Sequence, residues 1–389
     1  MVEASKTEGA TRPIRLGMVG GGEGAFIGAV HRIAARLDGE FELVAGALSS
    51  TPEKALASGA ALGLAPDRTY ASFEDMAKRE ARLKDGIEAV AIVTPNHVHY
   101  PAAKAFLSRG IHVICDKPLT STLADAKRLV QAAEKSGAVF VLTHNYTGYP
   151  MIRQAREMVQ NGDLGTIRVV QVEYPQDWLT ERLEATGQKQ AAWRTDPARS
   201  GAGGAIGDIG THAYNLASFV SGLKTEAVLA ELTSFVEGRP LDDNVHVLLR
   251  FAGGARGMLW ASQVAPGNEN ALRLRIYGDK GGLEWAQEQP NHLWFTPFGE
   301  PKRLLTRAGA GAGAAAARVS RVPSGHPEGY LEGFATIYAE AARAIRAAQT
   351  GKAPDPEVIY PTVQDGLAGM AFIDACVRSS AKGGTWVAL

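Results

Sequence analysis

Short apolar runs and amphipathic stretches take turns along the first third of the chain. Ile14 to Val19 is apolar and stops at Gly20, the pattern of a buried parallel strand. A helix is predicted from Ile27 to Leu37, a strand from Phe41 to Leu48, and a helix from Pro52, well suited to a first helical position, through Leu62. Ser72 should cap a helix reaching Leu83, with Asp75 three residues on. Ala89 to Val93, Ile111 to Ile114 and Val139 to Thr143 read as strands, with helices over His97 to Ser108 and Thr120 to Lys135 between them. Strand and helix are read as alternating six times, which predicts a Rossmann-type doubly wound parallel sheet over residues 13–145, after a loose tail at 1–12.

Past Pro150 the period changes. One helix, Met151 to Gln160, precedes runs that alternate apolar and polar residues: Ile167 to Tyr174, Val228 to Val236, Asn244 to Phe251, Gly257 to Val264 and Leu272 to Gly278. Alternation between glycine turns is the mark of antiparallel strands. Helices around Leu331 to Ala348 and Thr362 to Ser380 follow. The fold class is therefore α/β: the Rossmann sheet plus an α+β domain, residues 146–389, with a large, mostly antiparallel open sheet. Ala308 to Ala317, almost pure Ala and Gly, reads as a mobile surface loop. A broad sheet face should pair with a second copy, giving a homodimer or homotetramer. Leu229, Leu232, Val247, Leu249, Leu259 and Leu274 lie on those strands.

Composition narrows the class. With 41 basic and 41 acidic side chains the formal charge is zero, and no basic patch suggests nucleic acid. Two cysteines, Cys115 and Cys376, suit a reducing compartment, and no apolar run is long enough to span a bilayer. A cytoplasmic protein that avoids membranes is expected.

Four segments carry candidate chemistry. Gly20-Gly21-Gly22-Glu23-Gly24-Ala25-Phe26-Ile27-Gly28 follows a strand and opens a helix, where glycines let backbone and helix dipole approach a pyrophosphate. Gly28 comes three residues later than the usual spacing. Where an NAD site usually carries a carboxylate, the second strand ends in Ser49, followed by Ser50, Thr51 and Lys54. That tilts the cofactor, NAD or NADP, toward acceptance of the 2′-phosphate. Asp116-Lys117-Pro118 ends another strand, where open parallel sheets bind ligands, so Lys117 suits a proton relay. Asp208 and His212, four apart after a glycine run, would share a helix face. A histidine there can accept a hydroxyl proton as hydride leaves the carbon. The competing reading of Asp208 is a helix N-cap. His97 and His99 lack further ligands at metal spacing, so no metal is expected.

The chain resembles the glucose-fructose oxidoreductase / inositol dehydrogenase / rhizopine catabolism (Gfo/Idh/MocA) family. The motifs are the Gly20–Gly28 loop, Thr94-Pro95-Asn96-His97, Asp116-Lys117-Pro118, Trp193-Arg194 with Asp196-Pro197, and Gly207-Asp208-Ile209-Gly210-Thr211-His212. The resemblance implies a dehydrogenase of sugars, glycosides or cyclic polyols, with Lys117, Asp208 and His212 catalytic. It implies cofactor contacts from Gly20, Gly22, Gly24, Phe26, Ile27, Gly28, Ser49, Ser50, Lys54, Thr94, Pro95, Asn96, His99, Asp116, Lys117 and Asn145. Substrate contacts would come from Lys117, Tyr146, Trp193, Arg194, Asp208 and His212. The segment His144 to Tyr149 lacks the arginine of many relatives, and Gly325-His326-Pro327-Glu328-Gly329 resembles one branch only. Family members also include redox-neutral glycoside hydrolases that use NAD catalytically, which share these residues, and non-catalytic cofactor sensors, which an intact Lys117, Asp208 and His212 argue against.

Overall fold

A computed structural model describes residues 12–389 and shows two sheets with helices on and between them. The expected tail lies outside the described residues except for Arg12, which pairs with Glu88 at 2.6 Å. The first sheet has parallel strands β1 (Ile14–Gly20), β2 (Phe41–Ala47), β3 (Ala89–Val93), β4 (His112–Cys115) and β5 (Phe140–Leu142). That is five strands, not the six alternations read from the sequence. Two helices in succession, α2 (Pro52–Ala61) and α3 (Phe73–Glu80), join β2 to β3, and after β5 the chain leaves the sheet. Ser72 does cap α3, accepting from the Asp75 N–H at 3.1 Å.

Strand order β2-β1-β3-β4-β5 reverses direction of winding between β1 and β3, the crevice where such sheets take ligands. One face packs on α1 (Phe26–Leu37), the other on α4 (Asn96–Leu107) and α5 (Leu123–Ser136). A late helix, α11 (Tyr330–Gln349), returns to the first face and packs along α1. Phe334, Ile337, Tyr338, Ala341 and Ile345 join Ile14, Leu16, Met18 and Val30 in one buried cluster. The Tyr338 hydroxyl lies 2.8 Å from His31 Nδ1, and burial pushes His31 down to about 4, so the ring is neutral.

The second sheet has nine strands in the order β13-β12-β11-β10-β6-β9-β8-β7-β14. β6 (Ile167–Pro175), β7 (Thr225–Thr233), β8 (Asn244–Phe251), β9 (Arg256–Ser262) and β10 (Arg273–Gly278) match the five runs read from alternation. Four more went unread: β11 (Gly281–Ala286), β12 (His292–Pro297), β13 (Arg303–Thr306) and β14 (Val387–Ala388). They are short or open on glycines, so they carry too little alternation to stand out. Every pairing is antiparallel except β6 with β9.

Register decides the two faces. Helices α6 (Pro150–Gln160), α9 (Thr211–Ser221) and α12 (Val363–Ala381) pack on the inner one. Val247, Leu249, Leu259 and Leu274 are buried there, and Leu232 packs with them. Of the six residues named on these strands from the sequence, only Leu229 lies on the opposite, open face. A single row of cross-strand partners runs over that face: Leu229, Leu248, Met258, Gln171, Arg275, Glu284, Trp294 and Leu304. A register shift of one residue exchanges faces, so alternation alone leaves the face of each residue open.

The Ala-Gly stretch is turn and irregular over 308–313, as expected, but not in its last part. Ala314–Ala317 forms a short helix, α10, against α6. Gln154 and Glu157 of α6 accept its free N–H groups, from Gly313 at 2.5 Å and Ala315 at 3.2 Å, and Ala316 is fully buried. Side chains thus do the capping that alanines cannot. Among the described residues no helix is long and apolar enough to cross a membrane.

Tyr338→Phe is expected to lower the unfolding free energy by about 1–3 kcal/mol, because His31 Nε2 already lacks a partner and Nδ1 would lose its own. A denaturant titration checks this; an unchanged midpoint would show that the hydroxyl does not tie α11 to the first sheet.

Candidate active site

The glycine loop sits at the crevice. Residues 23–24 make a turn, and α1 starts at Phe26. A Cβ on Gly28 would stand 2.4 Å from the Gly21 Cα, so helix and loop touch backbone to backbone. The three extra residues therefore bulge out, and Gly28 still fills the role of the close-packing glycine. Gly22 abuts the Leu48 carbonyl; Gly20 and Gly24 have positive φ; Ile27 is half-buried; and Phe26 is exposed. Ser49 and exposed Ser50 and Lys54 lie between β2 and the first turn of α2. Ser49 Oγ accepts the Thr51 N–H at 3.1 Å, which leaves its own proton free to donate.

Two buried polar atoms at the strand ends lack a protein partner: Thr94 Oγ1, after β3, and Asn145 Nδ2, after β5. An orphaned acceptor and donor at that edge fit an amide-bearing nicotinamide. Other expected cofactor residues have work inside the protein. The ring nitrogens of His99 lie against two backbone carbonyls, Pro118 at 2.8 Å and Thr94 at 2.9 Å, and the neutral ring donates to one of them, so it sits between the two loops. Asn96 Nδ2 donates to the Ser200 carbonyl at 2.8 Å, and Pro95 caps α4. Asp116 Oδ1 accepts the Lys117 N–H and the Thr143 hydroxyl, at 2.8 and 3.1 Å.

Lys117 projects from this edge onto Asp208. Its Nζ donates to Asp208 Oδ1 at 3.0 Å and to the Asp208 carbonyl at 2.7 Å. Asp208 Oδ2 accepts from Arg194 Nε at 3.2 Å and Gln263 Nε2 at 2.8 Å. Burial pushes this carboxyl up, but Lys117 and Arg194 outweigh it and hold it well below the usual carboxylate range. Asp208 is thus not the helix cap. That part falls to Asp242, whose carboxylate accepts from the Gly204 and Ile206 N–H groups at 2.7 and 2.8 Å. The segment Ile206–Gly210 winds as a π turn ahead of α9, not as plain α-helix, a distortion common at functional sites.

His212 is buried beside Lys117. Burial, then the Lys117 charge, then His144 push its pKa well below 6.5. Its Nδ1 lies 3.5 Å from His144 Nδ1, and the Tyr146 ring stands edge-on at 4.9 Å. Tyr146 and Tyr174 share a 2.5 Å hydrogen bond, and Asn270 Oδ1 accepts from Tyr174 and from Gln176 Nε2 at 2.7 and 2.6 Å. Arg194 stacks on Trp193 at 4.2 Å and faces Trp178 at 6.0 Å.

Sequence reasoning missed His144, Tyr174, Gln176, Gln263 and Asn270, which lie in and around the ends of β5, β6, β9 and β10 with no local signature. Tyr330 was missed as well; it follows the Gly325–Gly329 motif, whose role is open from the sequence alone. Arg307 gathers that loop by donating to the Val322, Pro323 and His326 carbonyls and by pairing with Glu328 at 2.9 Å. This anchors the start of α11, which sets Tyr330 6.5 Å from Tyr146. The loop lines a cleft of about 600 Å³ that is lined by none of Lys117, Asp208 and His212.

A switch-point glycine loop, with a lysine, a carboxylate and a neutral imidazole at the same sheet edge, defines a nucleotide-dependent oxidoreductase. Residues 14–144 match the family model described as "Oxidoreductase family, NAD-binding Rossmann fold", and 152–284 match "GFO/IDH/MocA C-terminal domain". The crystal structure of an oxidoreductase from Sinorhizobium meliloti is 68% identical, covering 97% of this chain and 100% of that one, with a TM-score of 0.88. An inositol dehydrogenase homolog from Azotobacter vinelandii, crystallised with NADH and myo-inositol, is 36% identical over 97% and 98%, TM-score 0.91. Levoglucosan dehydrogenase of Pseudarthrobacter phenanthrenivorans is 28% identical over 96% and 97%. The chain belongs to the GFO/IDH/MocA family of NAD(P)-dependent oxidoreductases, whose members include sugar- and inositol-type dehydrogenases.

Asp242→Ala is expected to lower the unfolding free energy by about 1–3 kcal/mol, since two buried N–H groups lose their acceptor. Differential scanning calorimetry reads the loss; an unmoved transition would remove Asp242 as the anchor of the π turn.

Proposed function

We propose that this protein oxidises a secondary hydroxyl of a cyclic polyol or sugar, or reduces the corresponding ketone, with NAD(P). The observation that carries the reading is the meeting of Lys117, Asp208 and His212 at the carboxyl edge of the Rossmann sheet. The relatives support the substrate class: myo-inositol and levoglucosan are both saturated rings bearing secondary hydroxyls.

The glycine loop and the start of α1 hold the pyrophosphate, Ser49, Ser50 and Lys54 the adenosine ribose, and Thr94 and Asn145 the nicotinamide end. With no carboxylate at the end of β2, a 2′-phosphate meets no repulsion, so NADP is accepted beside NAD. Bound NAD(P)+ supplies the hydride acceptor. His212, neutral through burial, accepts the hydroxyl proton. The Lys117 charge offsets the negative charge that grows on the substrate oxygen as that proton leaves. Asp208 holds Nζ in place and keeps Arg194 beside it. Trp193 and Arg194 wall one side of the substrate, and Tyr146 with Tyr174 and Asn270 offers a polar edge to the ring hydroxyls. Residues 13–145 form the cofactor domain and 146–389 the substrate and assembly domain, with α11 packed back onto the first.

Assays on a panel of inositols, sugars and glycosides test this by absorbance of reduced cofactor. Accumulating NAD(P)H is expected, with kcat/KM holding steady as pH falls to below 6.5, because the lowered pKa keeps His212 basic there. Lys117→Met should cut kcat by about a hundredfold or more while cofactor affinity changes little. Aglycone release without NAD(P)H would instead indicate redox-neutral hydrolysis, and no turnover at all a sensor.

We also propose a homodimer or homotetramer built on the open sheet face. Val169, Leu248, Met258 and Trp294 are each exposed by more than a third there, apolar side chains that a second copy would cover. Light scattering should give a multiple of 41.2 kDa; a mass of one chain would sink the proposal.

A further inference from the structure

His144 ends the Rossmann sheet at the base of the cleft, in the segment where the chain crosses to the second sheet. It is 2% exposed, and the polar neighbour of its Nδ1 is His212 Nδ1, 3.5 Å away, with the rings edge to face at 80°. Among the described residues no other side chain or carbonyl bonds either ring. His212 also keeps slight exposure, 8%.

Two Nδ1 atoms that face each other can share only one proton in the neutral pair. If His144 carries it, His212 Nδ1 accepts and His212 Nε2 must hold a hydrogen. That nitrogen then has no lone pair for a substrate hydroxyl. If His212 carries it, Nδ1–H donates to His144 and Nε2 is a free base. The charged and titratable groups around the pair fit a neutral, tautomer-selecting contact. Lys117 faces both rings from the end of β4 and disfavours a positive charge on either. The Asp208 carboxylate, ahead of α9, is engaged by Lys117, Arg194 and Gln263 and is not bonded to the imidazole. Tyr146 and Tyr174 present ring edges to His212, and their hydroxyls are bonded to each other.

We propose that His144 is a positioning residue that accepts the Nδ1–H of His212 and so fixes the tautomer in which Nε2 takes the substrate proton. The role resembles that of the carboxylate behind a catalytic histidine in hydrolases, with a neutral acceptor in its place. A carboxylate would hold the proton on the imidazole; a second imidazole orients it without storing charge next to Lys117.

The proposal rests on the dehydrogenase reading for its purpose but not for its first test. Long-range ¹H–¹⁵N spectra of ¹⁵N-histidine-labelled enzyme, with and without NAD+, report which nitrogen is protonated whatever the substrate. His212 is expected as the Nδ1–H tautomer in the wild type and as the ordinary Nε2–H tautomer in His144→Leu. A wild-type His212 protonated on Nε2, or a tautomer unmoved by the substitution, overturns the proposal. On whichever polyol the wild type oxidises, His144→Leu should lower kcat about tenfold or more with KM nearly constant. His144→Gln, which keeps an acceptor, should recover much of that loss. His144→Asp should move the acid limb of kcat/KM to higher pH, because a carboxylate stabilises the imidazolium; a merely structural role would leave the limb in place. Full kcat in His144→Leu also overturns the proposal. Failure of the wild type on every polyol would refute the dehydrogenase reading and leave the spectra to decide His144.

Discussion

The Asp208 carboxylate is where the two sheets are tied into one site. Its two oxygens take Lys117 from the end of β4, Arg194 from a short helix ahead of the π turn, and Gln263 from the residue after β9. A carboxylate this sequestered costs several kcal/mol of solvation unless paired and hydrogen-bonded, and here each oxygen is matched by a cation. The cost sets the geometry: removal of any one donor leaves a buried charge short of partners. The same pairing keeps Lys117 fixed beside His212, whose neutral state depends on burial and on that nearby charge. One ionic contact thus governs position, protonation and the approach of the two sheets.

Around it, backbone is held in place by side chains far away in sequence. Asp242 caps the segment that presents Asp208, His99 bridges the loops after β3 and β4, and Arg307 gathers the loop ahead of Tyr330. Each is a buried polar group spent largely on backbone partners, Arg307 pairing also with the Glu328 and Asn291 side chains. The rigid frame is therefore built from polar contacts behind the cleft, while Thr94 Oγ1 and Asn145 Nδ2, buried at the strand ends, keep unspent valences.

What could be read in the sequence follows from range. The Rossmann strands stand out because burial on both faces makes each a continuous apolar run, and the glycine loop and Asp-Lys-Pro announce themselves by local spacing. The faces of the second sheet could not be read. Alternation marks a strand but not which parity looks inward, and Leu248 and Leu249 are equally apolar while only Leu249 is buried. A helix cap was the competing reading of Asp208 because capping is a local use of aspartate; its side-chain partners lie 14, 55 and 91 residues away. The Ala-Gly stretch looked loose because its order comes from Gln154 and Glu157, both on another helix.

The return of α11 shows why a cut in sequence need not be a cut in space. The helix follows all but the last strand of the second sheet in the chain, yet its apolar face completes the first sheet's core, through Phe334 against His31 and Tyr338 against Phe41. Its first residue, Tyr330, meanwhile reaches Tyr146 in the cleft. Any rotation of one sheet against the other must therefore either drag Tyr330 out of the site or break the α1–α11 packing. Aromatic and aliphatic burial of this kind resists sliding, because close-packed interfaces have discrete, not graded, alternatives. The cleft is thus held at both ends, by the Asp208 ion pairs on one side and by α11 on the other. That double hold is what lets a site assembled from two sheets keep hydrogen-bond distances between residues nearly a hundred positions apart.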